Sequence, residues 1–357
     1  GKCVLALGAG NSTHIVYNAL IKKYKEGVID FDKVVVFNIS EFFPLRPDGP
    51  STLTRLHQVF LDQVNVRPEN IHSIDPATTK EAMSEYCNAY EQQIADEGGI
   101  DVALCEIAPN GAIAFNEPGS QPTSYCRLVL LGNEMRHKVE KDYNCDDVPT
   151  TAITLGLSNF ISARRLLCMA WGENNANIIK EVVEGPATNA VPASLLQGHP
   201  HVKVVTDLAG AEELTRISQP WKVTSCDWND KLMRRAIVWL SNQTGKPILK
   251  LTDKDYNDWG LGELLALYGS AYNVNIKIFN DLQHTITGWP GGKPNADDTY
   301  RPERATPYPK RVIVFSPHPD DDVISMGGTL KRLVDQHHDV HVAYETSGNI
   351  AVGDEDM

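Results

Sequence analysis

The stretch Cys3-Val4-Leu5-Ala6-Leu7-Gly8-Ala9-Gly10-Asn11-Ser12-Thr13 decides the reading of this chain. Five apolar residues in a row suit a strand buried on both faces. Small residues then mark a sharp turn, and a helical pattern runs on through Leu20. A strand that enters a helix this way presents backbone N–H groups and the positive end of the helix dipole, which can hold a phosphate. The turn is not a P-loop, because no Gly-Lys-Ser/Thr follows it. A tight turn with a purely structural role accounts for it equally well.

Working outward, the alternation of strand and helix recurs. Val34-Val35-Val36-Phe37, Val102-Ala103-Leu104, residues 150–157, residues 166–171 and Val202-Lys203-Val204-Val205 read as further strands, with a helix over 174–184. The pattern predicts an α/β fold over residues 1–217: a doubly wound, mostly parallel sheet with helices on both faces. Ligands of such sheets bind beyond the carboxyl ends of the strands. The loops after Leu7, Phe37, Glu106 and Trp171 are therefore where chemistry is expected.

Residues 218–310 read as a helical connector, with helices near 231–240, 261–268 and 274–282 and a Gly/Pro-rich turn segment at 288–294. From 311 to 357 a second, partial α/β domain begins: a strand at 311–315, a helix from Ser325 and a strand at 340–344. One β-α-β unit is too small to bury both faces of its sheet. That, with the missing initiator Met and the immediate start in a core strand, points to a fragment of a longer protein.

Composition narrows the function classes. Hydrophobic residues make up 42% of the 357, as in a globular protein, and 33 Lys plus Arg stand against 46 Asp plus Glu for a formal net charge of -13. That balance argues against nucleic acid and against anionic membranes as partners. No apolar run approaches the ~18 residues of a membrane helix, and no signal-peptide order is present. Seven cysteines without a CxxC pair fit buried thiols in a reducing cytoplasm. His199 and His284 read as single structural histidines and the Asp253-Lys254-Asp255 run as solvated charge; the adjacent His337 and His338 point apart.

More specific are Phe37-Asn38-Ile39-Ser40-Glu41-Phe42, Gly111-Ala112-Ile113-Ala114-Phe115-Asn116-Glu117-Pro118, Val183-Glu184-Gly185, Pro192-Ala193-Ser194 and Gln197-Gly198-His199-Pro200. In this order they resemble the glucosamine-6-phosphate deaminase/isomerase family over residues 3–215. The resemblance implies a sugar-ring opening, a proton moved between C2 and C1 by a carboxylate, and release of ammonia to leave fructose 6-phosphate. A phosphorylated amino sugar is the implied ligand, no cofactor is implied, and self-association into a homo-oligomer is expected. Gly8, Ala9, Gly10, Asn11 and Ser12 would hold the phosphate, with Lys141 near the family's Arg position and Asn175 at its Lys position. The family's general-base Asp falls at Ser40, its ring-opening His at Ala112 and the Asp that orients that His at Asn110. Glu117 keeps the family's carboxylate, and Glu41 stands beside the base position. Losing a general acid or base costs roughly 10²–10⁴ in rate, so the ordinary reaction is expected to be weak or absent.

Ser316-Pro317-His318-Pro319-Asp320-Asp321-Asp322, with Ser325-Met326-Gly327-Gly328 after it, looks like the start of the PIG-L-type zinc N-acetylglucosaminyl deacetylases. That resemblance makes His318 and Asp321 zinc ligands and Asp320 the general base, with a later His ligand beyond Met357. Three readings stay open: a deaminase with a displaced base, a sugar-phosphate-binding or scaffold module without turnover, and a zinc-dependent N-deacetylase of an amino sugar.

Overall fold

A computed structural model describes residues 2–46, 48–75, 79–283, 310–335 and 337–348. The chain divides into two compact units, 1–224 and 225–357. His284 and the Gly/Pro-rich 288–294 segment lie outside the described residues.

In the first unit, strands β1 (Cys3–Leu7), β2 (Val34–Asn38), β3 (Ser40–Phe43), β4 (Ile71–His72), β5 (Val102–Glu106), β6 (Arg127–Leu130), β7 (Thr151–Thr154), β8 (Arg165–Met169) and β9 (Val202–Val205) follow in chain order. Six of them form one parallel sheet in the order β4-β2-β1-β5-β8-β9. The fold is thus the expected doubly wound α/β arrangement. The order grows outward from β1 in one direction through β2 and β4, then reverses from β5 through β8 to β9. The reversal leaves a crevice beyond the carboxyl ends of β1 and β5.

The apolar strands serve both faces. Val4, Ala6, Val35, Phe37, Ala103 and Cys105 join one core, and Leu5, Leu7, Val34, Val36 and Leu104 join another. Helices α1 (His14–Lys25) and α2 (Thr52–Val59) contribute Tyr17, Ile21 and Leu56 to the second core. Helix α3 (Met83–Asp96) contributes Met83, Cys87, Tyr90 and Ile94 to the first. The buried Tyr90 hydroxyl reaches the carbonyls of Asn38 at 2.9 Å and His72 at 3.1 Å, so α3 ties down the ends of β2 and β4.

Expectation and structure part at one place in this unit. The 150–157 run does not join the parallel sheet. It forms β7, which pairs antiparallel with β3 and β6 in a separate three-stranded sheet. Helix α4 (Asn133–Tyr143) supplies Met135 and Val139 to the apolar cluster shared with this sheet.

In the second unit, helices Asp230–Thr244, Asp253–Asp258, Gly262–Tyr268 and Ala271–Gln283 surround Tyr256, whose hydroxyl donates to Asn275 Oδ1 at 2.7 Å. Asp255 is not solvated charge: it is buried and accepts from Lys246 Nζ, Thr252 N–H and the Thr252 hydroxyl. Lys246, followed by the Thr252 donors, holds its carboxyl down at about 2. Strands β10 (Arg311–Ser316) and β11 (Asp339–Tyr344) pair in parallel. The helix between them begins at Asp321, four residues before the expected Ser325, and is interrupted at Met326. No disulfide joins any of the seven cysteines, and no helix among the described residues is long and apolar enough to cross a membrane.

Replacing Tyr90 by Phe removes a buried donor from two carbonyls. It is expected to lower stability by about 1–2 kcal/mol, read as a shift in the urea midpoint at unchanged m-value.

Candidate functional site

The crevice between β1 and β5 brings most of the loop candidates together. Gly8, Ala9, Gly10 and Ser40 line one cavity of about 80 Å³ with Glu106, Ala108, Lys138, Asp142 and Tyr143. Asn11 and Ser12 reach the same carboxylates. Asn11 Nδ2 donates to Asp142 Oδ1 at 2.7 Å, and the Ser12 hydroxyl donates to Glu106 Oε1 at 2.8 Å. The Trp171 indole N–H fixes the loop from the side by donating to the Ser12 carbonyl at 2.9 Å.

The cations at this loop are not those singled out in the sequence. Lys141 is exposed and does not line the cavity. Lys138, three residues earlier on α4, lies 3.2 Å from Glu106 Oε2 and pairs with Asp142. Burial pulls the Lys138 ammonium pKa down, but Glu106 and Asp142 outweigh it and the net shift is upward. Arg55 stacks over the Tyr143 ring at 4.5 Å, donates to the Asp142 carbonyl at 2.6 Å and bonds Asn11 Oδ1. Beyond Asp142 and Tyr143 an open groove of about 610 Å³ continues past His14, Arg46 and Arg55. A third cavity, of about 500 Å³ beside β8, β9 and helix Ala176–Glu184, is mostly aliphatic, with Arg216 its one ionisable side chain apart from the Cys168 thiol.

The two carboxylates next to the expected chemistry have other partners. Glu41 is 1% exposed. It accepts from the N–H groups of Phe42 at 2.8 Å, Thr52 at 2.9 Å and Leu53 at 3.0 Å, and from the Ser51 hydroxyl at 2.8 Å. Thr52 and Leu53 carry the first backbone donors of α2, whose N-cap Ser51 accepts in turn from Thr54 N–H at 3.1 Å. A carboxylate at a helix N-terminus satisfies orphan N–H groups and meets the positive end of the dipole. Glu117 does the same for α4, accepting from the N-cap Gly132 N–H at 2.9 Å. Burial raises the Glu117 pKa against that hydrogen bond, and Glu134 adds to the rise. Glu117 lies by a separate surface hollow with Pro118 and Arg127, not at the loop cavity. Asn110 Oδ1 accepts from Ala112 N–H at 3.1 Å. Ala112 is fully buried in the apolar cluster of Phe42, Phe115 and Met135. His199 is structural as expected, with Nε2 at 2.6 Å from the Ala163 carbonyl.

In the second unit His318 Nδ1 and Asp321 Oδ2 lie 3.0 Å apart. Asp320, between strand and helix, takes a φ of 118°, a strained value for a residue with a Cβ. Zinc bound for catalysis takes three protein ligands. Among the described residues no group of three or more His, Cys, Asp or Glu is placed to hold a metal ion. Among the described residues the donor set therefore falls short of a catalytic zinc site.

Glu106, Lys138, Asp142 and Arg55 escaped the sequence reading. The sequence signals for them are that Glu106 closes a strand followed by one of the expected ligand loops, and that Lys138 and Asp142 are four apart on one helix face.

Residues 1–205 match the family of glucosamine-6-phosphate isomerases/6-phosphogluconolactonases, and residues 313–356 match GlcNAc-PI de-N-acetylase. A putative glucosamine-6-phosphate deaminase-like protein of Bacteroides thetaiotaomicron is 59% identical over 99% of this chain, which spans 54% of that relative's length. The glucosamine-6-phosphate deaminase of Halothermothrix orenii is 38% identical over 59% of this chain and 88% of its own length. A solved monomeric glucosamine-6-phosphate deaminase superposes with a TM-score of 0.56 at 27% identity, over 59% of this chain and 88% of its own.

Two predictions follow from this geometry. Glu41→Ala leaves four donors without an acceptor and should cost on the order of 3 kcal/mol or more, with a smaller loss for Glu41→Gln; equal urea midpoints for all three proteins would contradict the capping role. Zinc retained after gel filtration should be the same for the chain and for His318→Ala, whereas a stoichiometric zinc lost with His318 would reverse the assignment.

Proposed function

The chain belongs to the glucosamine-6-phosphate isomerase/6-phosphogluconolactonase family, and we propose that its first unit is an amino-sugar family module without hexosamine-phosphate deaminase turnover. One observation carries this reading. Both carboxylates left near the family's catalytic positions, Glu41 and Glu117, are engaged at the N-termini of α2 and α4. The base and ring-opening positions hold Ser40 and Ala112. A serine hydroxyl does not take a proton at neutral pH without a partner base, and an alanine has no proton to give. Glu41 as a substitute base would have to release three backbone N–H groups and a hydroxyl, and α2 would lose its first-turn acceptors.

The second reading, zinc-dependent N-deacetylation of an amino sugar, is favoured by the approach of His318 to Asp321 and by the match over 313–356. It needs donors outside the described residues. Both readings place the protein in amino-sugar chemistry.

Incubation of the purified chain with glucosamine 6-phosphate should release neither ammonia nor fructose 6-phosphate above the protein-free rate. Saturable turnover that disappears in Glu41→Gln would overturn the proposal.

A further inference from the structure

Glu106 has no part in the function proposed above, yet it occupies the position where a parallel sheet of this order binds its ligand, beyond the ends of β1 and β5. Its carboxylate lies against the β1–α1 loop. A Cβ on Gly10 would sit 2.0 Å from Glu106 Oε2, so the approach depends on glycine at that position. The Ser12 hydroxyl bonds one oxygen at 2.8 Å and Lys138 Nζ stands 3.2 Å from the other. Asp142 takes a second side-chain donor of the loop, Asn11 Nδ2, and the other side of Lys138. The four charged groups Glu106, Asp142, Lys138 and Arg55 balance at two negative and two positive.

We propose that Glu106 is the built-in occupant of the anion-binding loop between β1 and α1, and that it excludes phosphate monoesters from it. A phosphate entering the loop meets a carboxylate already holding the Ser12 hydroxyl and the Lys138 ammonium. It would add charge of the same sign to a balanced cluster. The loop therefore selects against phosphorylated ligands by charge and by occupied volume. This goes beyond the absence of turnover, because it concerns binding and involves neither Ser40, Glu41 nor Glu117.

The test is calorimetric titration of the full chain, of Glu106→Ala and of Glu106→Gln, with inorganic phosphate and with glucosamine 6-phosphate, glucosamine serving as the phosphate-free control. The unchanged chain should show no saturable binding to roughly millimolar phosphate. Glu106→Ala should bind phosphate and glucosamine 6-phosphate, but not glucosamine, at least about tenfold more tightly, and adding Ser12→Ala should remove the gain. Glu106→Gln keeps the shape and the Ser12 bond without the charge, and should bind more tightly than the unchanged chain. If Glu106→Ala fails to fold, Glu106→Gln decides alone. Phosphate binding by the unchanged chain equal to that of the variants would overturn the proposal, as would folded variants with no gain. Turnover is read separately, so a failure here leaves the reading of the deaminase positions standing.

Discussion

A carboxylate taken out of water must be met by hydrogen-bond donors or a cation, or it will not stay ionised. At the carboxyl edge of the six-stranded sheet this constraint organises the surroundings of three side chains. Glu41 meets the first N–H groups of α2, and Glu117 meets the N-terminus of α4. Glu106 meets Ser12 in front of α1 and Lys138 from α4. The starts of α2 and α4 thus each have their own protein carboxylate, and a third stands against the loop before α1. The positive ends of these helices, which parallel α/β folds commonly turn toward a ligand, are turned here toward the chain itself.

The consequences run along the chain. Glu41 belongs to β3, so its grip on α2 fixes where the small antiparallel sheet meets the helix that follows. Lys138 and Asp142 lie one turn apart on α4, and both reach the first loop, so α4 is anchored at its far end by Glu106 and Asn11 and at its start by Glu117. Arg55 of α2 closes the circuit through the Asp142 carbonyl and the Tyr143 ring. Mostly exposed ion pairs contribute little. This set differs because Lys138, Glu106 and Asp142 are each below a fifth exposed, share partners and leave little room for solvent between them.

Much of this fold is legible in the sequence because parallel strands covered on both faces must be apolar throughout. The runs at Cys3–Leu7 and Val34–Asn38 announce themselves, whereas the switch point between β1 and β5 is set by the strand order seen in the structure. The small sheet is harder to see. Ser40-Glu41-Phe42-Phe43 carries a buried charge in a strand of four residues, and β4 has two residues, so neither offers a period to read. The 150–157 run is visibly a strand, but apolar pattern alone does not say which sheet takes it. At the site, positions along the chain locate the loop, Ser40 and Ala112, whereas partners such as Glu106 and Lys138 are set by which helix turn faces the crevice. Lys141 and Lys138 differ by three residues in sequence, and only one of them points at the loop.

A fold of this kind tolerates the replacement of its reacting groups because the sheet asks only for apolar strands, tight turns and capped helices. Ala112 illustrates the exchange: where a titratable ring would need room and partners, a methyl group packs fully buried into the cluster of Phe42 and Phe115. Ser40 likewise lines a cavity of about 80 Å³, far below the roughly 300 Å³ at which small-molecule pockets begin. Volume and charge act in the same direction there. On the proposed reading the reacting positions hold the small side chains of Ser40 and Ala112, and two side-chain donors of the loop, Ser12 and Asn11, are held by Glu106 and Asp142. On the proposed reading, restoring the reaction would take more than returning a base to position 40, since the loop would first have to be cleared of its own carboxylate.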